Sequence, residues 1–131
     1  MADYSTFEKQ ADNSRIAASK LIINPADGTH TVMNLPKYAF VTRVWIEITD
    51  ASAAGTLSIG FTGDGAAADT DGFMDTTACD ITSLGLLSSD IDAQPGSYGK
   101  WFNTASGQIT ITTSSANDGT YQIFAEYYVL H

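Results

Sequence analysis

Basic side chains are scarce. The 131-residue chain has six Lys and Arg against fifteen Asp and Glu, for a net charge of −9 at pH 7. Between Arg43 and Lys100 there is no Lys or Arg at all. That stretch nevertheless carries Glu47, Asp50, Asp64, Asp69, Asp71, Asp75, Asp80, Asp90 and Asp92. A field of this sign repels phosphate, which argues against direct contact with nucleic acid and against docking on anionic membranes. The carboxylates are read as a solvated surface that keeps the chain soluble.

Sulfur and imidazole are equally sparse. Cys79 stands alone, so no intrachain disulfide framework can form, and the thiol is expected to act as a small buried apolar group. The histidines are His30 and His131, too few for a structural zinc site and without a Ser–Asp context for triad hydrolysis. No G-x-S-x-G elbow is present. No apolar run approaches the roughly 20 residues of a membrane-spanning helix. The opening Met1-Ala2-Asp3-Tyr4 is polar and acidic, unlike a secretory signal, so synthesis in a reducing cytoplasm is expected.

Three motifs suggest chemistry and then fall short. Gly60-Phe61-Thr62-Gly63-Asp64-Gly65 has the glycines of a phosphate loop but not its lysine, and is read as a turn. Asp69-Thr70-Asp71-Gly72, with Asp75 beyond it, resembles half of a calcium loop without the remaining ligands. Tyr98, Trp101 and Phe102 could stack on sugar rings, but beside an apolar core such residues more often pack. No catalytic residue, metal ligand or cofactor is assigned, and the chain is read as non-enzymatic.

What is present is strand. Val, Ile, Thr, Tyr and Phe recur with the period of a half-buried strand. Lys20–Ile23 and Thr29–Leu35 flank the turn Asn24-Pro25-Ala26-Asp27-Gly28. Tyr38–Thr49, Thr56–Phe61, Phe73–Ile81, Ser97–Phe102, Gln108–Thr113 and Tyr121–Leu130 follow, with Ser83–Asp92 ambiguous between helix and strand. Asn117-Asp118-Gly119 reads as a hairpin turn into the last strand. About eight strands at this spacing predict an all-β antiparallel sandwich, jelly-roll-like in its wrapping. Residues 1–18, polar apart from Met1, Tyr4, Phe7 and Ile16, are expected to be an N-terminal arm ordered by a partner or by packing, and 19–131 the sandwich domain.

Two of these strands carry large apolar side chains on both faces. In Tyr38–Thr49 the alternation sets Tyr38, Phe40, Val44, Ile46 and Ile48 against Val41 and Trp45. In Tyr121–Leu130 it sets Tyr121, Ile123, Tyr127 and Val129 against Phe124, Tyr128 and Leu130. An exposed antiparallel sheet needs one apolar face only, because the other meets water. Something must cover the second face, either another part of this chain, such as the 1–18 arm, or a neighbouring copy, so Val41, Trp45, Phe124, Tyr128 and Leu130 are expected to bury a second apolar layer between elements or at an interface between subunits.

The order of these features resembles small virion structural proteins of tailed bacteriophages, in particular capsid decoration, cement or head-fibre proteins. A polar arm leads into KLIINPADGTHTVMNLPKYAFVTRVWIEITDA, then GTLSIGFTGDGAAADTDGF, a Ser/Asp/Gly-rich middle, and GQITITTSSANDGTYQIFAEYYVLH. The resemblance covers residues 19–131. It implies a β-sandwich or jelly roll that forms a homotrimer and sits on the outer shell of a virion, with the major capsid protein as partner. The alternative reading is a carbohydrate- or receptor-binding module of tail-fibre or lectin-like type, with Tyr98 and Trp101 as a stacking platform and the Asp69–Asp75 loop as a calcium site.

Overall fold

The computed structural model describes residues 16–89, 99–114 and 117–130. Among them every regular element is a strand: β1 (Ile16–Ile23), β2 (Gly28–Leu35), β3 (Ala39–Asp50), β4 (Leu57–Gly63), β5 (Ala66–Met74), β6 (Gly85–Ser88), β7 (Lys100–Trp101), β8 (Gly107–Thr113) and β9 (Thr120–Val129). One sheet has the order β1-β9-β3-β6, with β7 also paired to β3; the other is β2-β8-β4-β5. All pairings are antiparallel. With β6 and β7 counted as one interrupted edge strand, the first strand pairs with the last, the second with the next to last, and so inward. That is jelly-roll wrapping, as the strand spacing predicts.

The core lies between the sheets. Val41, Val44, Ile46 and Ile48 of β3 and Tyr121, Ile123 and Ala125 of β9 meet Leu57 and Ile59 of β4 and Ile109 and Ile111 of β8, all essentially without solvent exposure. Each fully buried aliphatic or aromatic side chain in such a layer contributes about 1.5–3 kcal/mol before ordering costs. Phe61, Phe73 and Phe102 close one end, with Phe61 edge-on to both others at centroid distances of 5.3 and 6.1 Å. Cys79 is in this core; burial, and secondarily the carboxylates of Asp80 and Asp75, push its thiol pKa up.

Several sequence expectations change here. The alternation in β3 breaks at a bulge between Val41 and Arg43, which inserts a residue and reverses the faces on its N-terminal side. Val41 is consequently a fully buried core residue and does not share a face with Trp45. Phe40 takes that place. Strand β1 starts at Ile16, pairing Ile16–Ser19 with Tyr127–Phe124, so residues 16–18 are part of the sandwich; the remaining arm residues, 1–15, are outside the described residues. Ser83–Asp92 contributes the short strand β6, and its last residues, 90–92, also lie outside. Residues 75–81 do not continue a strand, because Asp75 Oδ1 accepts the Thr77 and Ala78 N–H groups (3.0 and 2.8 Å) and folds the chain into a turn.

Neither of the two turns near the ends of the fold is a hairpin. The 24–27 and 117–119 segments carry the chain from one sheet to the other. At the second crossing Asn117 Oδ1 accepts from the Gly119 N–H (3.2 Å) and the Tyr121 hydroxyl (2.6 Å), while Asp118 Oδ1 accepts from Ser52 Oγ (2.9 Å). The hairpin signal Asp-Gly is instead realised at Asp64-Gly65, between β4 and β5, where Gly63 pairs with Ala66. Both turn residues have positive φ, 61° and 68°, as a type I′ turn requires.

Candidate functional site

The two outer faces differ in chemistry. Outside the β2-β8-β4-β5 sheet, Thr29 Oγ1 and Thr112 Oγ1 share a hydrogen bond (2.9 Å), Thr31 Oγ1 donates to Gln108 Oε1 (3.2 Å), and Gln108 Nε2 donates to Asn34 Oδ1 (3.0 Å). That lattice of hydroxyls and amides suits water. The outer face of the β1-β9-β3-β6 sheet sets aromatic and aliphatic side chains among charged and polar ones.

Strand register places its side chains in cross-strand rows, since directly paired residues point the same way. Trp101, Phe40 and Tyr128 form the first row across β7, β3 and β9. Arg43, Glu126 and Ala17 form the next. Ser88, Trp45, Phe124 and Ser19 make the third, and Leu86, Glu47, Gln122 and Leu21 the fourth. Between the last three rows runs a groove of about 420 Å³ lined by Ala17, Trp45, Glu47, Leu86, Phe124 and Glu126. Leu86 is 62% exposed, Leu21 51% and Trp101 44%. The Arg43 guanidinium stands over the Trp45 ring, 5.5 Å from its centroid. Thr42 Oγ1 donates to Glu126 Oε1 (2.8 Å), which fixes that carboxylate beside the bulge.

Of the residues expected at an interface, Trp45, Phe124 and Tyr128 lie together on this face, and Leu130 follows at its end, held by its N–H donating to the Tyr38 carbonyl (2.8 Å). Val41 is turned inward by the bulge. Phe40, Trp101, Leu86 and Leu21 join the face although the sequence reading did not assign them. Leu21 had a signal, since the run Leu21-Ile22-Ile23 leaves an apolar residue on each side of any strand. Leu86 and Trp101 had none, because their facing depends on pairing with β3.

The acidic segment is built differently. Asp71 N–H donates to Asp69 Oδ1 (3.4 Å). A hydrogen bond to Asp69, burial, and the charges of Asp69 and Asp75 push the Asp71 carboxyl above its usual range. Asp75 is engaged with its own turn. Among the described residues no group of three or more His, Cys, Asp or Glu is arranged to hold a metal ion. Tyr98, one half of the stacking platform considered above, is outside the described residues.

One buried ion pair holds the end of the sandwich next to the aromatic face. The Asp64 carboxylate accepts from Lys100 Nζ (2.8 Å) and from the Thr104 and Ala105 N–H groups (2.6 and 3.2 Å). Lys100 reaches it across Phe61 and Phe102, 5.0 and 5.2 Å from their ring centroids. Burial would raise the Asp64 carboxyl, but these three donors outweigh it and hold the group below its usual range. The pair ties the β4–β5 turn to β7, and β7 carries Trp101 onto the outer face.

No family model and no curated protein matches the sequence. The fold does match solved structures. A chain of the acid-stable capsid of Helicobacter pylori bacteriophage KHP30 superposes with a TM-score of 0.64 at 19% identity, over 88% of this chain and 89% of that one. A chain of the cyanophage Pam1 capsid does so with 0.64 at 16% identity, over 90% and 86%. A chain of the capsid of Ralstonia phage GP4 gives 0.63 at 14% identity, over 90% and 86%. At these identities what is shared is the fold, and it is shared over nearly the whole of each chain.

Proposed function

We propose that this protein is a non-enzymatic structural component of a bacteriophage particle, a decoration or cement protein that binds the outer shell of the head as a homo-oligomer. The observation that carries this reading is the aromatic outer face of the β1-β9-β3-β6 sheet, on a jelly roll matched along nearly its full length by chains of phage capsids. A sheet that carries Trp45, Phe124, Tyr128, Trp101 and Leu86 on its outer side as well as an apolar inner side is suited to being covered on both, since monomeric proteins rarely leave large apolar patches open. The acidic remainder of the surface suits a particle exterior, where no contact with packaged nucleic acid is needed.

The major capsid protein is the partner this reading names, and the virion surface the location. Particles of the phage that encodes the chain are expected to contain it in many copies. Particles prepared without it should recover it when mixed with the purified protein and sedimented, with saturation at a fixed ratio to the major capsid protein. Purified particles free of the chain that also fail to take it up would overturn the assignment.

A further inference from the structure

We infer that the outer face of the β1-β9-β3-β6 sheet receives the same face of a second copy of this chain, about a two-fold axis that runs parallel to the strands, between β9 and β3. The inference rests on the homo-oligomer reading above and specifies its contact.

The observation that carries it is a pair of apolar edges. Leu21 on β1 and Leu86 on β6 end one cross-strand row, Leu21–Gln122–Glu47–Leu86. They are 51% and 62% exposed. Strands β9 and β3 lie between them, so three spacings of about 4.8 Å hold them apart within one chain. At the same end of the two edges stand Ile23, which pairs with Thr120, and Leu84, which precedes Gly85 opposite Ile48. These are 61% and 69% exposed.

A two-fold along the strands brings the two edges together, because it turns each row end for end over itself. Leu21 then faces the partner's Leu86, and Ile23 comes to the partner's Leu84. Inside the row, Glu47 faces the partner's Gln122, a carboxylate against an amide that can donate. In the next row, Ser19–Phe124–Trp45–Ser88, Trp45 faces the partner's Phe124 and the terminal serines face each other. Tyr128 meets the partner's Phe40, and the Thr120 hydroxyl meets the partner's Asp50. An axis across the strands would instead set Phe40 against the partner's Asp50, so the order of side chains selects the axis. Arg43 and Glu126 are engaged within the chain, on Trp45 and Thr42, and the contact does not need them. A surface matched to itself in this way binds isologously.

Size agrees. Four strands about 4.8 Å apart and about eight residues long present roughly 500 Å² per copy, or about 1,000 Å² for the two, which reaches the lower bound of a specific interface. Strands related by this axis run nearly along one another, the aligned class of sheet stacking. Copies with a net charge of −9 repel, so an apolar contact between them should tighten as salt screens the charge. A contact of this symmetry builds even-numbered assemblies, in contrast to the trimer that the family resemblance implies.

Light scattering and sedimentation of the full chain test this. The wild type is expected to be a dimer or an even multiple. Leu21→Glu puts a carboxylate on the partner's Leu86 at both edges of the contact and should weaken the dimer at least about tenfold; Leu86→Lys puts an ammonium on the partner's Leu21 and should do the same. The double variant Leu21→Glu/Leu86→Lys sets opposite charges against each other at both edges and should dimerise at least about tenfold more tightly than either single variant. Rescue of this kind arises only between chains, since two strands separate the positions within one. Both positions are exposed, so melting curves are expected to show folded variants. A monomer at high concentration, a trimer, a dimer that loosens as salt is raised, or single variants that leave the dimer unchanged would overturn the inference, as would a double variant no tighter than the single ones. Particle binding is read separately: rescue by the double variant without binding of the wild type to shells would remove the decoration reading and leave the pairing in place.

Discussion

Replacing Asp64 by alanine is expected to lower the unfolding free energy by about 3 kcal/mol, the scale of breaking a largely buried ion pair by removing one partner. The carboxylate is 6% exposed and Lys100 Nζ, 2.8 Å away, belongs to a side chain 20% exposed. Removing Asp64 leaves the Lys100 ammonium against the Phe61 and Phe102 rings without its counter-charge, and deprives the Thr104 and Ala105 N–H groups of their acceptor. Denaturant unfolding measures the loss directly. The same group makes stability depend on pH. Because the folded state holds Asp64 below its usual range, the unfolded chain binds its proton more readily. The contribution is therefore complete above the ordinary carboxylate pKa near 4 and is lost as the pH falls through the lower, folded value. Asp71, which is pushed up, works in the opposite direction. The acid-induced drop in melting temperature should accordingly be smaller in Asp64→Ala than in the wild type. An equal drop in both would show that Lys100 does not depend on this partner.

Gly60→Ala is expected to be at least as damaging, for a reason of space alone. A methyl group built on Gly60 would fall 2.0 Å from the Asp69 carbonyl oxygen and 2.5 Å from the Thr70 carbonyl carbon. Both are backbone atoms, so no side chain can swing aside. The close approach arises where β5 departs from regular pairing with β4, between the Ile59–Met74 and Phe61–Asp69 pairs, and the Ser58 hydroxyl fastens the crossing by donating to the Thr70 carbonyl (2.8 Å). Overpacking typically costs about 1–3 kcal/mol when neighbours can adjust. Here β5 must move off β4, and we expect little folded protein, or a melting temperature lowered by more than in Asp64→Ala. Thermal melts of both variants under one condition give the comparison. A Gly60→Ala protein with wild-type stability would mean that the crossing strand yields freely.

How much of this was readable in advance depended on whether a feature is local. The inward stripes of β8 and β9 alternate without interruption, so Ile109, Ile111, Tyr121 and Ile123 declared their face through period alone. The second apolar face was legible at Trp45, Phe124 and Tyr128 for the same reason. The bulge in β3 was not: Thr42 and Arg43 carry no mark of an extra residue, and so Val41 and Phe40 exchanged faces. The two Asp-Gly pairs look alike in sequence, yet Asp64-Gly65 closes a hairpin and Asp118-Gly119 crosses between sheets. The difference lies in which distant strands are paired, with β9 claimed by β1 and β3. Strand β5 was hidden because its Ala, Asp and Thr residues have no apolar alternation, and its pairing survives on backbone hydrogen bonds and the hold of Phe73 in the core. Lys100, isolated in an acidic stretch, gave no hint of Asp64, because the pair joins residues 36 positions apart.

A structural role in an assembly requires the outer face of the β1-β9-β3-β6 sheet to be covered when the protein is at work. The chain has two tryptophans, Trp45 and Trp101, and both lie on that face, so tryptophan emission reports its hydration and little else. Emission and iodide quenching measured across a dilution series, with mass followed by light scattering, are expected to show a blue shift and a loss of quenching as single chains assemble. A species of one-chain mass at every concentration, with both tryptophans equally open to iodide throughout, would contradict it.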